Sequence, residues 1–507
     1  MRVDDVFWAL VVLAFLLLVA RILRQRTVVF RRIFLPSSLI AGGLGLLLGP
    51  QVLGWIIRQI APRRPEEPPH LLAEGLFPEE VLDVWSSLPG LLINVVFAAL
   101  LMGKAIPGLR TVWNTAGPQV VVGQTIAWGQ YVVGLTLAML VLTPVYGLPP
   151  AAGALIEIGF EGGHGTAAGM QTAFEAVGFD EGYDLAIALA TVGLVGGVLI
   201  GTGLINWGVR RGVIEAPERM DSLDDVRFFD EEPSGEEIAE FRREKERESQ
   251  PTDPLSLHLG IVALAIVIGW LIREGLVGFE QMTWGRPVED GEPLVILGYV
   301  PLFPLAMVGG VLVQLAVDRM GVGDQVSRRL MNRISGASLD IIIVGAVATV
   351  SLQAIGTHFV PFLLLTTAGI VWSLAAVILL APRVVPTHWF ERAAGDFGQS
   401  MGVTVTGLLL MRVADPSNRS GAMESFGYKQ LLFEPVVGGG LFTGSSVALI
   451  AAFGPRPLLI LTLGLTLFWI VFGLIAFGKE SRENRKAEAR TRADRATARP
   501  QPRSHSE

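Results

Sequence analysis

Phe160-Glu161-Gly162-Gly163-His164-Gly165-Thr166-Ala167-Ala168-Gly169-Met170 is a charged, glycine-dense interruption set between long apolar runs. Glu157 lies one helical turn before Glu161, so two carboxylates and an imidazole fall within eight positions. On a helix the two glutamates would share a face, where a shared proton is one way to hold both. Ionisable groups at bilayer depth cost roughly 2.5 to 3.5 kcal/mol each on insertion scales, so they persist where they line a pathway. The stretch therefore reads as a binding site inside a membrane.

The rest of the chain supports a membrane setting. Of 507 residues, 51% are hydrophobic and only 17% charged, and the apolar residues cluster into runs that approach the roughly 20 residues needed to cross about 30 Å of hydrocarbon. That pattern fits an all-α polytopic membrane protein rather than three soluble domains. No nucleic-acid partner follows from the formal charge of −7. Cysteine is absent and the six histidines form no paired ligand motif, which excludes disulfides and thiol chemistry and argues against a zinc site or resident cofactor. The run from Val6 to Ala20 lacks a basic leader and is expected to remain as a first span.

Spans are expected near residues 6 to 23, 35 to 57, 88 to 106, 118 to 142 and 184 to 209. Arg21, Arg24, Arg26, Arg31 and Arg32 follow the first span, which by the positive-inside rule places that loop in the cytoplasm and the N-terminus outside. Acidic residues from Glu66 to Asp83 place the next loop outside, and Lys104 and Arg110 lie inside. Only one crossing fits between the uncharged loop at 143 to 150 and the cytoplasmic Arg210 and Arg211. Residues 150 to 180 must then enter and leave on the outer side as a re-entrant hairpin, with the glycines at its turn. Residues 212 to 253 form a charged cytoplasmic linker between two repeats, 1 to 211 and 254 to 455.

In the second half, spans are expected near 257 to 273, 293 to 317, 336 to 355, 359 to 381 and 431 to 453. One extra span follows at 457 to 478, within a segment running from 456 to 478, and then a disordered basic cytoplasmic tail, 479 to 507. Residues 394 to 412 are a second glycine-rich interruption. Arg412, Arg419 and Lys429 hold its flanks on the cytoplasmic side, so this hairpin enters from within. Leu39-Ile40-Ala41-Gly42-Gly43 is echoed by Ala306-Met307-Val308-Gly309-Gly310, each a few residues after Pro36 or Pro304. For Gly42 and Gly43 close helix packing is the simpler reading. The element order and opposite starting sides nevertheless describe an inverted-topology repeat, with five spans and a re-entrant hairpin per half. Such architectures bring interrupted helices together near the midplane around a transported solute.

Gly162-Gly163-His164-Gly165-Thr166 resembles the signature of the sodium/glutamate symporter family of bacterial inner membranes. Gly395-Asp396-Phe397-Gly398-Gln399-Ser400-Met401-Gly402-Val403-Thr404-Val405-Thr406 looks like that family's second hairpin, and Pro36 with Ala41-Gly42-Gly43 and Pro435-Val436-Val437-Gly438 also fit its positions. The resemblance implies a secondary active transporter, with sodium-coupled symport of glutamate or a related small carboxylate in the inner (plasma) membrane. It also implies a homodimer and elevator-type alternating access. Three positions depart from the pattern: Glu161 stands where a small polar residue is usual, Asp396 replaces a histidine and Ser400 a glycine.

The candidate substrate- and ion-binding residues are Glu161, Gly162, Gly163, His164, Gly165, Thr166, Asp396, Gly398, Gln399, Ser400, Gly402, Thr404 and Thr406, with a sodium site near Glu161, Asp396, Ser400 and Thr404. Each has a plainer reading beside it: His164 as a fixing bond for its turn, Glu161 as the partner of Lys104, Asp396 as a helix cap. Arg412 reads as a topology charge, and Asp340 as a pathway residue or half of a buried pair. A proton- or sodium-coupled carrier of a different small metabolite is the competing function. A passive channel or an intramembrane enzyme stands further off, for want of a nucleophile–base pair.

Overall fold

The computed structural model describes residues 2 to 32, 35 to 60, 72 to 103, 109 to 214, 254 to 283, 297, 300 to 416 and 419 to 486. The linker expected at 212 to 253 falls almost wholly outside these residues, as do Lys104 and, in the acidic outer loop, Glu66 and Glu67. Every regular element among the described residues is helical, and ten helices are long and apolar enough to cross a membrane.

In the first half these are α1 (Val3–Arg26), α2 (Ser37–Ile60), α3 (Glu79–Ala99) and α4 (Arg110–Tyr146), followed by three short helices and a long one. The short ones are α5 (Pro150–Phe160), α6 (Gly163–Gly169) and α7 (Gln171–Ala176); the long one is α8 (Glu181–Arg210). In the second half come α9 (Leu255–Met282), α10 (Leu302–Arg319), α11 (Arg328–Thr349), α12 (Phe359–Val384), α13 (Trp389–Ala414), α14 (Ala422–Phe433), α15 (Leu441–Phe453) and α16 (Pro455–Ala476).

The helices sort into two bundles. α1, α2, α3, α9, α10 and α11 pack mainly on each other, around one cluster holding Leu13, Trp85 and Val344 and another holding Met102, Val262 and Met331. Gly42 serves this packing as expected, lying against Val347 of α11, whereas a Cβ at Gly43 would meet nothing within 4 Å; in the second pair Gly309 lies against the carbonyl of Ala265 in α9 and Gly310 against that of Ala98 in α3. The second bundle contains α4 to α8 and α12 to α16, with Tyr131, Phe160 and Phe397 buried among them. The bundles touch where α6 packs on α3 and α11, with Gly165 against Ile93 and Leu339.

Three expectations require correction. The span at 431 to 453 is not one helix: α14 ends at Phe433, Gly438 and Gly439 adopt φ of +69° and +100°, and α15 is only 13 residues long. Three consecutive glycines after Pro435 supply the left-handed backbone that breaks the span, because a Cβ disfavours positive φ. Lys429, taken as a cytoplasmic charge, is instead wholly buried. Order also runs past residue 479, since residues 478 to 486 are helical and Ser481 donates to the carbonyls of Pro382 and Val385 at the end of α12.

Candidate functional site

α5 begins at Pro150, where a missing N–H costs nothing at a helix start. It runs to Phe160; the chain then turns through Glu161, Gly162 and Gly163, whose φ of +65° requires the absence of a Cβ. α13 is broken as well, at Gly402 (φ −154°, ψ 42°) and Val403 (φ 60°, ψ 176°). Its two arms fold back on each other, with Gly398 against Gly407 and Gly395 against Met411. Both breaks rest on the middle of α8. His164 bonds Thr191, Phe160 packs on Gly193, and Gly193 and Gly197 lie against Met401. With α8 running from 181 to 210, residues 191 to 197 straddle its centre, about 20 Å from either end at 1.5 Å per residue. The two interruptions touch directly where Gly163 meets Val403.

Three carboxyl groups lie in this region with three different surroundings. Glu157 is fully bonded: Oε2 accepts from the Tyr131 hydroxyl at 2.6 Å, and Oε1 from Gly438 N–H at 2.7 Å and Thr443 Oγ1 at 2.8 Å. It ties α4, α5 and the glycine loop together. Asp396 Oδ1 meets Lys429 Nζ at 2.9 Å and accepts from Gln119 Nε2 at 3.2 Å, while Oδ2 has no hydrogen-bond partner. Glu161 is 3% exposed and neither of its oxygens has one. The charges of Lys429, Glu157 and Asp396 act on it through space, and the Ser400 hydroxyl is a donor close by. Thr166 Oγ1, Ser400 Oγ and Gln130 Oε1 are also buried without partners. A buried polar atom costs on the order of 1–3 kcal/mol when unsatisfied, and an ionised one more.

The other candidates hold the frame. His164 Nε2 lies 2.9 Å from Thr191 Oγ1, whose hydroxyl donates to the Ile187 carbonyl at 3.0 Å. The histidine then donates to the threonine and fixes the turn to α8. Gln399 exchanges paired bonds with Gln430, both at 3.0 Å, and its Oε1 also accepts from Lys429. Thr404 donates to Glu434 Oε1 at 3.1 Å, and Thr406 to the Gly402 carbonyl at 2.5 Å across the break. Thr404 thus stands among the bonds that brace α13 on the end of α14.

Two curated proteins, the sodium/glutamate symporters of Escherichia coli (strain K12) and Shigella flexneri, are each 23% identical to this chain over 422 residues. Those alignments cover 79% of this chain and 92% of each relative. The sequence model of the sodium/glutamate symporter family matches residues 86 to 415, well over half the chain and from α3 through both interruptions. The chain belongs to the sodium/glutamate symporter family. Membership, together with ten apolar helices of spanning length, makes it a multi-pass membrane protein.

Several residues of this family member's site were not foreseen from sequence. Lys429 reads as a charge that sets topology, and only the room left by Gly123 of α4 admits it to the interior; a Cβ at 123 would stand 2.6 Å from Nζ. Gln119 and Gln130 carried a legible signal. Eleven residues apart in an apolar span, they sit three turns apart on one face of α4. Gln119 bonds Asp396, and Gln130 donates to the Ser400 carbonyl at 2.9 Å.

Proposed function

We propose that this protein is a sodium-coupled secondary transporter that carries a small carboxylate of the glutamate type across the inner membrane. The observation that carries the reading is the meeting of two broken helices at mid-α8 around Glu161, Thr166 and Ser400, whose buried oxygens lack partners. Sodium takes such oxygens as ligands and offsets the charge of Glu161, while the freed backbone and side chains of the two breaks receive the substrate. The curated relatives' names supply sodium and glutamate as the first ions and solutes to test.

The two breaks are the turns of re-entrant hairpins entering from opposite sides, and the halves 1 to 211 and 254 to 455 are an inverted repeat. Supporting this, the first three spans of each half share one bundle, whereas the fourth span, the interrupted helix and the closing element of each half share the other. The second bundle, as the carrier of both turns, moves past the first in an elevator cycle, with the first as scaffold of a homodimer. The N-terminus faces outward and the basic tail the cytoplasm.

Uptake of L-glutamate and of neutral and dicarboxylic analogues into proteoliposomes, with and without an inward sodium gradient, tests the function. Accumulation above the outside concentration only with sodium is expected; equilibration without accumulation would indicate a channel, and chemical conversion an enzyme. Glu161 favours one second reading, in which a proton neutralises it in place of sodium. Accumulation driven by an inward proton gradient in choline medium would select that alternative.

A further inference from the structure

We propose that Lys429 is a tethered cation that permanently fills a monovalent-ion position beside the transport site, so that Asp396 and Gln399 bind no external ion. This rests on the sodium-coupled reading above but concerns a different position from Glu161. The ammonium is coordinated as a bound monovalent ion would be. Nζ lies 2.9 Å from Asp396 Oδ1 and 2.8 Å from Gln399 Oε1, and 4.4 Å from the ring centre of Phe433. None of the lysine or aspartate side chain is exposed. Gly123 clears the space for Nζ.

Burying an ion pair costs desolvation that its attraction often only balances, so packing alone gives little reason for it. A charge that must be present at this point of the cycle gives a better one. With Lys429 in place, the charge of Asp396 is answered by direct contact from within the chain, whereas Glu161 feels the lysine only through space and its oxygens remain open to an ion from solution. The acid and the lysine make a complementary pair, with neither side chain exposed.

The test counts sodium bound per protomer on the purified full-length protein, with radioactive sodium and no substrate. Lys429→Gln vacates the position and is expected to bind one sodium more than the wild type; Lys429→Arg, which keeps the charge, is expected to match the wild type. An unchanged count in Lys429→Gln overturns the proposal. Should that variant fail to fold, Asp396→Asn decides: an unchanged count supports a resident lysine, and a count lower by one shows that Asp396 ligates sodium and overturns it. A wild type that binds no sodium while Lys429→Gln binds one would sink the sodium-coupled reading and leave this one standing.

Discussion

The side chain of Val403 lies directly over the Cα of Gly163, so the break in one interrupted helix is seated on the break in the other. Both residues have positive φ, +65° at Gly163 and +60° at Val403. A glycine tolerates this backbone; a β-branched valine does so only under strain of about 1–3 kcal/mol. Strain of this kind persists where the surroundings over-determine it, here through Gly193, Gly197 and Met401 on one side and Thr406 on the other.

Gly163→Ala is therefore expected to cost about 1–3 kcal/mol from the backbone and a similar amount from overpacking against Val403. Val403→Gly removes both the strain at 403 and the obstructing methyl. In detergent, the single change at 163 should lower the melting temperature, and the double variant should recover more than half of the loss. Strictly additive effects of the two changes would show that the breaks are not in contact.

Glu157 gives a stability prediction separate from transport. Its two oxygens accept three hydrogen bonds, so Glu157→Gln turns an amide N–H₂ toward groups that themselves donate. A loss of about 1–3 kcal/mol is expected, seen as a lower melting temperature with or without sodium, and Tyr131→Phe should lose a comparable amount by leaving Oε2 bare. A sodium-dependent loss in either variant would instead place Glu157 among the ion ligands.

What the sequence disclosed follows from how each feature is encoded. Long apolar runs announce spans by length alone, and Gly162-Gly163-His164 stands out because ionisable and glycine residues are rare in such runs. The break within 431 to 453 was harder to see, since its flanks are as apolar as a span and only Gly438-Gly439-Gly440 marks it. Lys429 was misread because a lone lysine near a span end ordinarily marks the cytoplasmic side; its burial depends on Gly123, three hundred residues earlier in the chain. Which of Glu157, Glu161 and Asp396 is free also depends on partners from α4, α14 and the glycine loop, and spacing along one helix carries no trace of them.

The membrane orientation can be read from two exposed positions. Tyr146 is 40% exposed at the end of α4, and Glu480 is exposed beyond α16. The chain has no cysteine, so Tyr146→Cys and Glu480→Cys each place a single thiol. In intact cells an impermeant maleimide is expected to label position 146 and to reach 480 only after permeabilisation. The opposite pattern would invert the topology and, with it, the side from which each hairpin enters.

Glu161 provides the sharpest test of the site, because its charge works against stability whenever the site is empty. Neither oxygen accepts a well-formed hydrogen bond, the Ser400 hydroxyl being the one side-chain donor close by, whereas Asp396 has Lys429 and Glu157 has three donors. An ionised Glu161 is thus held in the interior at a cost that a bound ion relieves. Glu161→Gln removes the charge and nearly preserves the shape, so its melting temperature in sodium-free choline buffer should equal or exceed that of the wild type. Sodium at a hundred times its dissociation constant should stabilise the wild type by about 2.7 kcal/mol, and the variant by close to nothing. Sodium-driven accumulation should fall at least tenfold in the same variant. If Glu161→Gln kept the full sodium-induced stabilisation, the ion would have to bind elsewhere; if it destabilised the sodium-free protein, its carboxylate would be bonded in the folded state and the site would have to be rebuilt around other oxygens.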